Sequence, residues 1–172
     1  DMPYADDSVY DVSTVGRCDN EKAPFLIHQK LRNSSVLNSL VMTNDGVYKS
    51  STVNDYVKDN QHWTAPRHTM RGLPHTEVLE NIARSKVFCS TWPKESWGIT
   101  AMEALGCGVP TILMTGKNDT HASELIAAEK SHYIKIDRQC SSLEFETTVR
   151  EFANMTKNRR DEIAEMTREK HS

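Results

Sequence analysis

The order of elements in residues 86–114 constrains the fold most strongly. An apolar strand, a polar turn, a short helix, a glycine stop and a second apolar strand follow one another there. Short apolar strands joined by a helix favour parallel pairing with helices on the faces of the sheet. Ser96, Trp97 and Gly98 form the turn before the helix, whose first backbone N–H groups have no partner within the helix. That end carries partial positive charge and suits a phosphate.

The same alternation runs through the rest of the chain. We predict strands over residues 10–15, 36–43, 62–65, 87–91, 109–114 and 133–136. We predict helices over residues 23–31, 47–57, 74–83, 99–105 and 120–128, and a final helical region over residues 142–170 that is broken near residues 157–158. This pattern predicts an α/β fold with a Rossmann-like, open, mostly parallel sheet of about six strands covered by helices on both faces.

Three polar loops are expected to meet at one edge of this sheet. Right-handed crossovers place the loops that follow parallel strands on the same side. The loops are residues 16–22, 94–100 and 115–123. Open α/β sheets bind their ligands at that edge, so we expect the site to lie there.

Composition and charge limit the classes of function. The 172 residues suit about one domain, and the net charge of −3, with both signs interspersed, does not indicate a dedicated nucleic-acid surface. No apolar run approaches the roughly 20 residues of a membrane span. The four cysteines have neither C-x-x-C pairing nor metal-ligand spacing with histidine, which predicts reduced thiols, no metal site and a cytoplasmic protein.

Two glutamates bracket the start of the helix in the opening stretch. Glu95 and Glu103 could each hold hydroxyl groups beside a bound phosphate, and a phosphate flanked by hydroxyls describes a nucleotide sugar. Residues 95–110, ESWGITAMEALGCGVP, resemble the donor-binding signature of retaining glycosyltransferases of the GT-B fold, where two glutamates also stand eight positions apart. The small residues of that signature are in register at Gly98, Thr100, Ala104, Gly106, Gly108 and Pro110. Ser96 and Trp97 depart from the usual Gly and Phe.

The loop after the first strand carries two cations. Arg17 and Lys22 would suit a pyrophosphate, although an ordinary solvated loop would explain them from residue type alone. In the GT-B transferases Gly-Arg and then Lys-Gly stand at this spacing and contact the donor phosphates. Ala23 here replaces the second glycine, which leaves the shape of the loop open.

The resemblance implies a role for each part of the site. It implies that Glu95 contacts the transferred sugar near the reacting carbon, as the catalytic residue, and that Ser96 and Trp97 accompany it. Glu103 would bind the ribose, and Gly72 and Leu73 would lie beside the base. The donor phosphates would be bound by Arg17, Lys22, Gly98, Ile99 and Thr100. The implied donor is a nucleoside diphosphate sugar, with uridine diphosphate (UDP) and glucose as common components, and no metal or other cofactor is implied.

The resemblance also implies a division of the chain. Residues 1–10 would be a linker from an N-terminal GT-B domain, residues 11–141 the donor-binding domain and residues 142–172 the closing helices. The N-terminal domain of the full-length chain would supply most of the site for an unknown acceptor. We therefore expect the isolated domain to be inactive or nearly so, because transfer needs both reactants oriented in one cleft.

Other interpretations remain open at this point. The domain could be a non-catalytic nucleotide-binding module, or a nucleotide-sugar epimerase of GT-B-like fold. A phosphorylase would need a pyridoxal lysine, and the sequence shows no signature of one. The turn after the first strand lacks the G-x-G-x-x-G pattern of a Rossmann dehydrogenase. His68, His75 and His121 lie near the predicted ligand loops, where lone histidines are more often structural or exposed. Residues 118–126 are predicted to pack as a helix whose preceding turn reaches the sugar.

Overall fold

The computed structural model describes residues 9–45, 50–92, 99–116 and 120–172. Its strands are β1 (Tyr10–Val15), β2 (Ser39–Thr43), β3 (Arg67–Arg71), β4 (Ser85–Ser90), β5 (Thr111–Thr115) and β6 (Tyr133–Asp137). Its helices are α1 (Leu26–Lys30), α2 (Ser51–Asp59), α3 (His75–Ala83), α4 (Ile99–Gly106), α5 (Ser142–Ala153) and α6 (Lys157–Lys170). Two short 3₁₀ turns, Ala122–Leu125 and Lys130–His132, lie between β5 and β6.

The strands form one parallel sheet in the order β3-β2-β1-β4-β5-β6. This confirms the predicted Rossmann-like α/β class. The chain first builds outward from β1 through β2 to β3 and then returns to add β4 on the other side of β1. The strand order therefore reverses between β1 and β4, and a crevice opens at such a point beyond the carboxyl ends of the strands.

Apolar residues on both faces of the sheet explain the two helical layers. Along β2, Val41 points into one core and Leu40 and Met42 into the other, as alternate residues of a strand must. The first core takes Phe25 beside α1 and Phe145 from α5. The second takes residues of α3 and α4, among them Ile82 and Ala104. Burial on both faces is what drives these strands to the centre of the domain.

The third strand was predicted in the wrong place. Residues 62–65 are not a strand; β3 runs over Arg67–Arg71, in a segment expected to be a loop. The sequence of β3 is polar because it is an edge strand that pairs with β2 alone, and most of its residues are only half-buried. Its first residue, Arg67, is buried and donates hydrogen bonds to the carbonyls of Ser34 and Leu37.

The predicted helix over residues 120–128 is also wrong, since a single 3₁₀ turn, Ala122–Leu125, lies there. His121 caps this turn: its ring accepts from the backbone N–H of Ser123, and the backbone N–H of His121 donates to the Glu124 carboxylate. The predicted break in the C-terminal region is confirmed, because α5 ends at Ala153 and Thr156 caps the start of α6.

All four cysteines are buried, and none of them forms a disulfide. Burial raises the pKa of the Cys107 thiol to about 11, so this side chain is protonated and unreactive at neutral pH. Among the described residues no helix combines the length and the apolar character needed to cross a bilayer.

His28 should make folding stability depend on pH. Its ring is fully buried, with Nδ1 2.8 Å from the Ser39 hydroxyl and Nε2 3.0 Å from the His68 carbonyl. Burial lowers its pKa from 6.5 to about 3. In the unfolded chain this histidine takes up a proton below its ordinary pKa while the folded chain does not. Its contribution to stability is therefore full above about pH 6.5 and is lost as the pH falls toward 3.

We expect the free energy of unfolding to fall by about 2 kcal/mol between pH 7 and pH 5 through this one group. Urea unfolding at the two pH values measures the change, and a His28→Gln variant should show a smaller difference between them. An equal difference in both proteins would mean that another group carries the pH dependence.

Candidate functional site

A cleft of about 460 Å³ lies at the reversal of strand order, between the loops that follow β1 and β4. The described residues that line it are Val15, Gly16, Arg17, Lys22, Ser90, Thr91, Trp92, Ile99 and Thr100. It therefore brings together four of the residues predicted to bind phosphate: Arg17, Lys22, Ile99 and Thr100. Two of these are cations on the β1 loop, and the other two begin helix α4.

The loop after β1 is tied to its neighbours on both sides. The backbone N–H of Cys18 donates to the Asn44 side chain beyond β2, over 3.1 Å. On the other side the Thr91 hydroxyl donates to the Lys22 carbonyl, over 2.5 Å. These contacts link the loop to both neighbouring strand ends, so its backbone is positioned by the sheet.

Ala23 closes this loop in the left-handed region, with φ of 42°. Glycine adopts that conformation freely and other residues do so at a cost. Ala23 thus occupies, with strain, a backbone conformation that glycine would adopt freely. The backbone N–H of Ala23 donates to the Asp19 carbonyl over 2.8 Å, and the Asp19 carboxylate accepts from the N–H of Lys22, also over 2.8 Å.

The two cations have different surroundings. Arg17 is largely exposed, and its guanidinium lies 3.3 Å from the Asp19 carboxylate and 3.9 Å from that of Glu21. Lys22 places its ammonium 5.2 Å from the centre of the Trp92 ring. Sequence reasoning missed Trp92, although an aromatic residue immediately beyond a buried strand at the ligand edge is a usable signal.

A second cleft, of about 470 Å³, adjoins the first and shares Val15, Gly16 and Arg17 with it. Its remaining lining comes from the ends of β2 and β3 and from α3: Met42, Thr43, Asn44, Asp45, Gly72, Leu73 and Val78. Gly72 has a φ of 65°, and a Cβ added there would lie 2.9 Å from the Cβ of Asp45. Only glycine fits this position without a shift. Gly72 and Leu73, predicted to lie beside the base, therefore line a partly apolar cleft next to the cationic one.

Glu103 lies on α4, one turn beyond Thr100, and its side chain contacts α3. Its side chain is only 10% exposed, and its Oε2 lies 2.5 Å from Nε2 of His75 at the start of α3. A carboxylate in an apolar neighbourhood needs such a partner. Glu103 is not among the described lining residues of either cleft.

The other two histidines near the ligand edge have structural contacts. His121 is fully buried, and because Nδ1 accepts from the N–H of Ser123, its Nε2 carries the proton and donates to the Trp92 carbonyl over 3.0 Å. His68 packs edge-on against Tyr10 and accepts a hydrogen bond from His28 at its carbonyl. His121 thus fixes the backbone just before residue 93.

Four predicted residues, Glu95, Ser96, Trp97 and Gly98, lie outside the described residues, and their roles stay predictions. The residues that the structure does describe contain no group of three or more His, Cys, Asp or Glu side chains that could hold a metal ion.

Comparison with known families settles the kind of protein. The model of the family "Glycosyl transferases group 1" matches residues 53–170, most of the chain. The chain belongs to this family. No curated protein matches it in sequence.

Solved structures share the fold at low sequence identity. TarM of S. aureus superposes with a TM-score of 0.69 and 11% identity, over 100% of this chain and 35% of TarM. HepE of Anabaena, in complex with UDP and glucose, gives 0.67 and 17%, over 91% of this chain and 41% of HepE. The C-terminal domain of LpcC from Francisella tularensis gives 0.66 and 13%, over 96% of this chain and 88% of that domain. This chain therefore has the fold of the C-terminal half of a GT-B protein. It spans less than half of the length of TarM and of HepE.

Proposed function

We propose that this chain is the donor-binding half of a retaining, metal-independent glycosyltransferase that uses a UDP-sugar. The observation that carries the proposal is the pair of adjoining clefts at the reversal of strand order, one lined by Arg17 and Lys22 and the other partly apolar. A nucleoside diphosphate has the same two ends, a charged pyrophosphate and a flat base. HepE has been solved in complex with UDP and with UDP-glucose, and TarM in complex with UDP, which supports UDP as the nucleotide.

Each part of the nucleotide is assigned a binding position in this proposal. The pyrophosphate lies in the first cleft, between the cations of the β1 loop and the N–H groups that begin α4. The base lies in the second cleft against Leu73, and backbone groups near Gly72 read its edge. The ribose spans the two clefts and donates hydrogen bonds from its hydroxyls to Glu103. Clefts of about 460 and 470 Å³ are of the size that ligand sites usually have.

The same groups would assist the reaction. As the bond between the sugar and the diphosphate breaks, negative charge grows on the departing phosphate oxygen. Arg17, Lys22 and the start of α4 stabilise that charge in place of a metal ion. Glu95 lies near the reacting carbon in this proposal, and the acceptor comes from the side of a separate N-terminal GT-B domain in the full-length protein.

A thermal-shift screen tests the choice of ligand. The chain is heated with UDP, ADP, GDP, uridine and several UDP-sugars. At a ligand concentration ten times Kd, linkage adds about 1.4 kcal/mol, which raises Tm by roughly 3–6 °C for a domain of this size. We expect the diphosphates to raise Tm and uridine alone to do so much less. A flat response to every nucleotide would contradict the proposal.

Transfer itself is tested on the full-length protein with a UDP-sugar and a mixture of candidate acceptors. A glycosylated product with the anomeric configuration of the donor, read by NMR, would support a retaining transferase. Binding without transfer to any acceptor would favour a non-catalytic module, and a changed sugar without acceptor would favour an epimerase.

A further inference from the structure

The contact between His75 and Glu103 joins the two halves of the site. His75 is the first residue of α3 and follows the loop that carries Gly72 and Leu73. Glu103 is on α4, one turn beyond Thr100, and Thr100 lines the first cleft. The 2.5 Å bond between Nε2 and Oε2 therefore connects the loop of the second cleft to the helix of the first.

The two partners differ greatly in exposure. The side chain of His75 is 69% exposed, while that of Glu103 is 10% exposed. An exposed imidazole at the start of a helix adds little to the packing of the core. A nearly buried carboxylate, by contrast, loses most of its hydration and must recover hydrogen bonds inside the protein. The contact thus matters far more to the carboxylate than to the histidine.

The contact with His75 leaves the Glu103 carboxylate able to accept further hydrogen bonds. An ionised carboxylate has about four positions at which it can accept a hydrogen bond. His75 occupies one of them, at Oε2. It can hold the carboxylate in one orientation while acceptor positions remain for hydroxyl groups.

We propose that His75 is a positioning residue that orients the Glu103 carboxylate toward the ribose hydroxyls of the bound nucleotide. This inference rests on the proposed function, since it names a further residue of the same site. His75 acts through Glu103 and does not itself touch the ligand. The start of α3 and the ribose contact are coupled through this one bond.

Calorimetric titration of UDP into four proteins tests the inference. The proteins are the wild type, His75→Ala, His75→Gln and the control Thr76→Ala, which alters the exposed neighbour of His75 in the same helical turn. We expect His75→Ala to weaken binding about five- to tenfold, because the carboxylate loses a charge-assisted hydrogen bond. His75→Gln should restore most of the affinity, because its side-chain amide can also donate to the carboxylate. Thr76→Ala should bind as the wild type does.

A double-mutant cycle separates positioning from a general effect on the fold. In a Glu103→Ala background, His75→Ala should cost less than twofold, because the side chain that His75 orients is absent. A full five- to tenfold loss in that background would overturn the inference. So would wild-type or tighter binding by His75→Ala, which would mean that His75 competes with the ribose.

The result for the wild type distinguishes the two proposals. If the wild type binds UDP and His75→Ala binds it equally well, the inference fails and the proposed function stands. If the wild type binds no nucleoside diphosphate, the proposed function fails and the inference fails with it. Melting temperatures of all variants, measured without ligand, show whether each one folds.

Discussion

Replacing Glu103 by alanine is expected to weaken UDP binding by about 10- to 100-fold. A hydrogen bond to a charged group contributes roughly 1.5–3 kcal/mol, and each 1.4 kcal/mol is a factor of ten in affinity. The Glu103 side chain is 10% exposed, so little water is available to take the place of the lost carboxylate. Isothermal calorimetry with UDP measures the effect, and Glu103→Gln should fall between alanine and the wild type.

A matched control separates this effect from the loss of one negative charge. Glu77, in the first turn of α3, is exposed. Glu77→Ala removes the same charge from the neighbouring helix and should leave the affinity within about twofold. If Glu103→Ala binds UDP as tightly as Glu77→Ala does, Glu103 is not the ribose ligand.

Replacing Arg17 by alanine is expected to weaken UDP binding about tenfold and the weak binding of uridine much less. The guanidinium lines the cationic cleft and can donate to two phosphate oxygens. It lies 3.3 Å from the Asp19 carboxylate and 3.9 Å from that of Glu21, so bound phosphates must compete with these two carboxylates for it. Because of this competition, we expect the loss of UDP affinity to be near the smallest value typical of a hydrogen bond to a charged group. Calorimetry with UDP and with uridine gives both values.

Arg32 provides the control for Arg17. It is exposed and follows α1, where the chain has returned to the opposite edge of the sheet before β2. Arg32→Ala should leave UDP binding unchanged at moderate salt, because salt screens the interaction between an exposed charge at that edge and phosphates bound at the other edge. Equal losses in both variants would indicate only a general effect of net charge. Unchanged affinity in both Arg17→Ala and Glu103→Ala would show that the site is assigned wrongly.

The fold could be predicted from the sequence where burial determines it. The runs of β2 and β5 are buried at every position, and such runs between helices indicate a parallel sheet. The same reasoning placed Arg17, Lys22 and Thr100 in one cleft, because loops after parallel strands meet at one edge. β3 could not be predicted in this way, since a polar edge strand takes its structure from pairing with β2 and from the buried contacts of Arg67.

The contacts of single side chains were harder to predict than the site itself. The need of Glu103 for a partner follows from its apolar neighbours, but the identity of that partner depends on how α3 packs against α4. His75 is 28 positions away in the sequence, and its place near a predicted ligand loop does not identify it as the partner of Glu103. Trp92 likewise meets Lys22 only because β1 and β4 are adjacent in the sheet. The left-handed conformation of Ala23 was not predictable either, because residues other than glycine rarely adopt it.

Finding where UDP binds is the sharpest test of whether the two clefts form a nucleotide site. Amide chemical shifts of the isotopically labelled chain are followed by NMR as UDP is added. We predict that the largest changes lie at residues 16–22, at Gly72 and Leu73, and at Ile99 and Thr100, with little change at Asp11, Asn38 and Lys86 on the opposite edge of the sheet. Changes centred on that opposite edge, or no change at millimolar UDP, would contradict it.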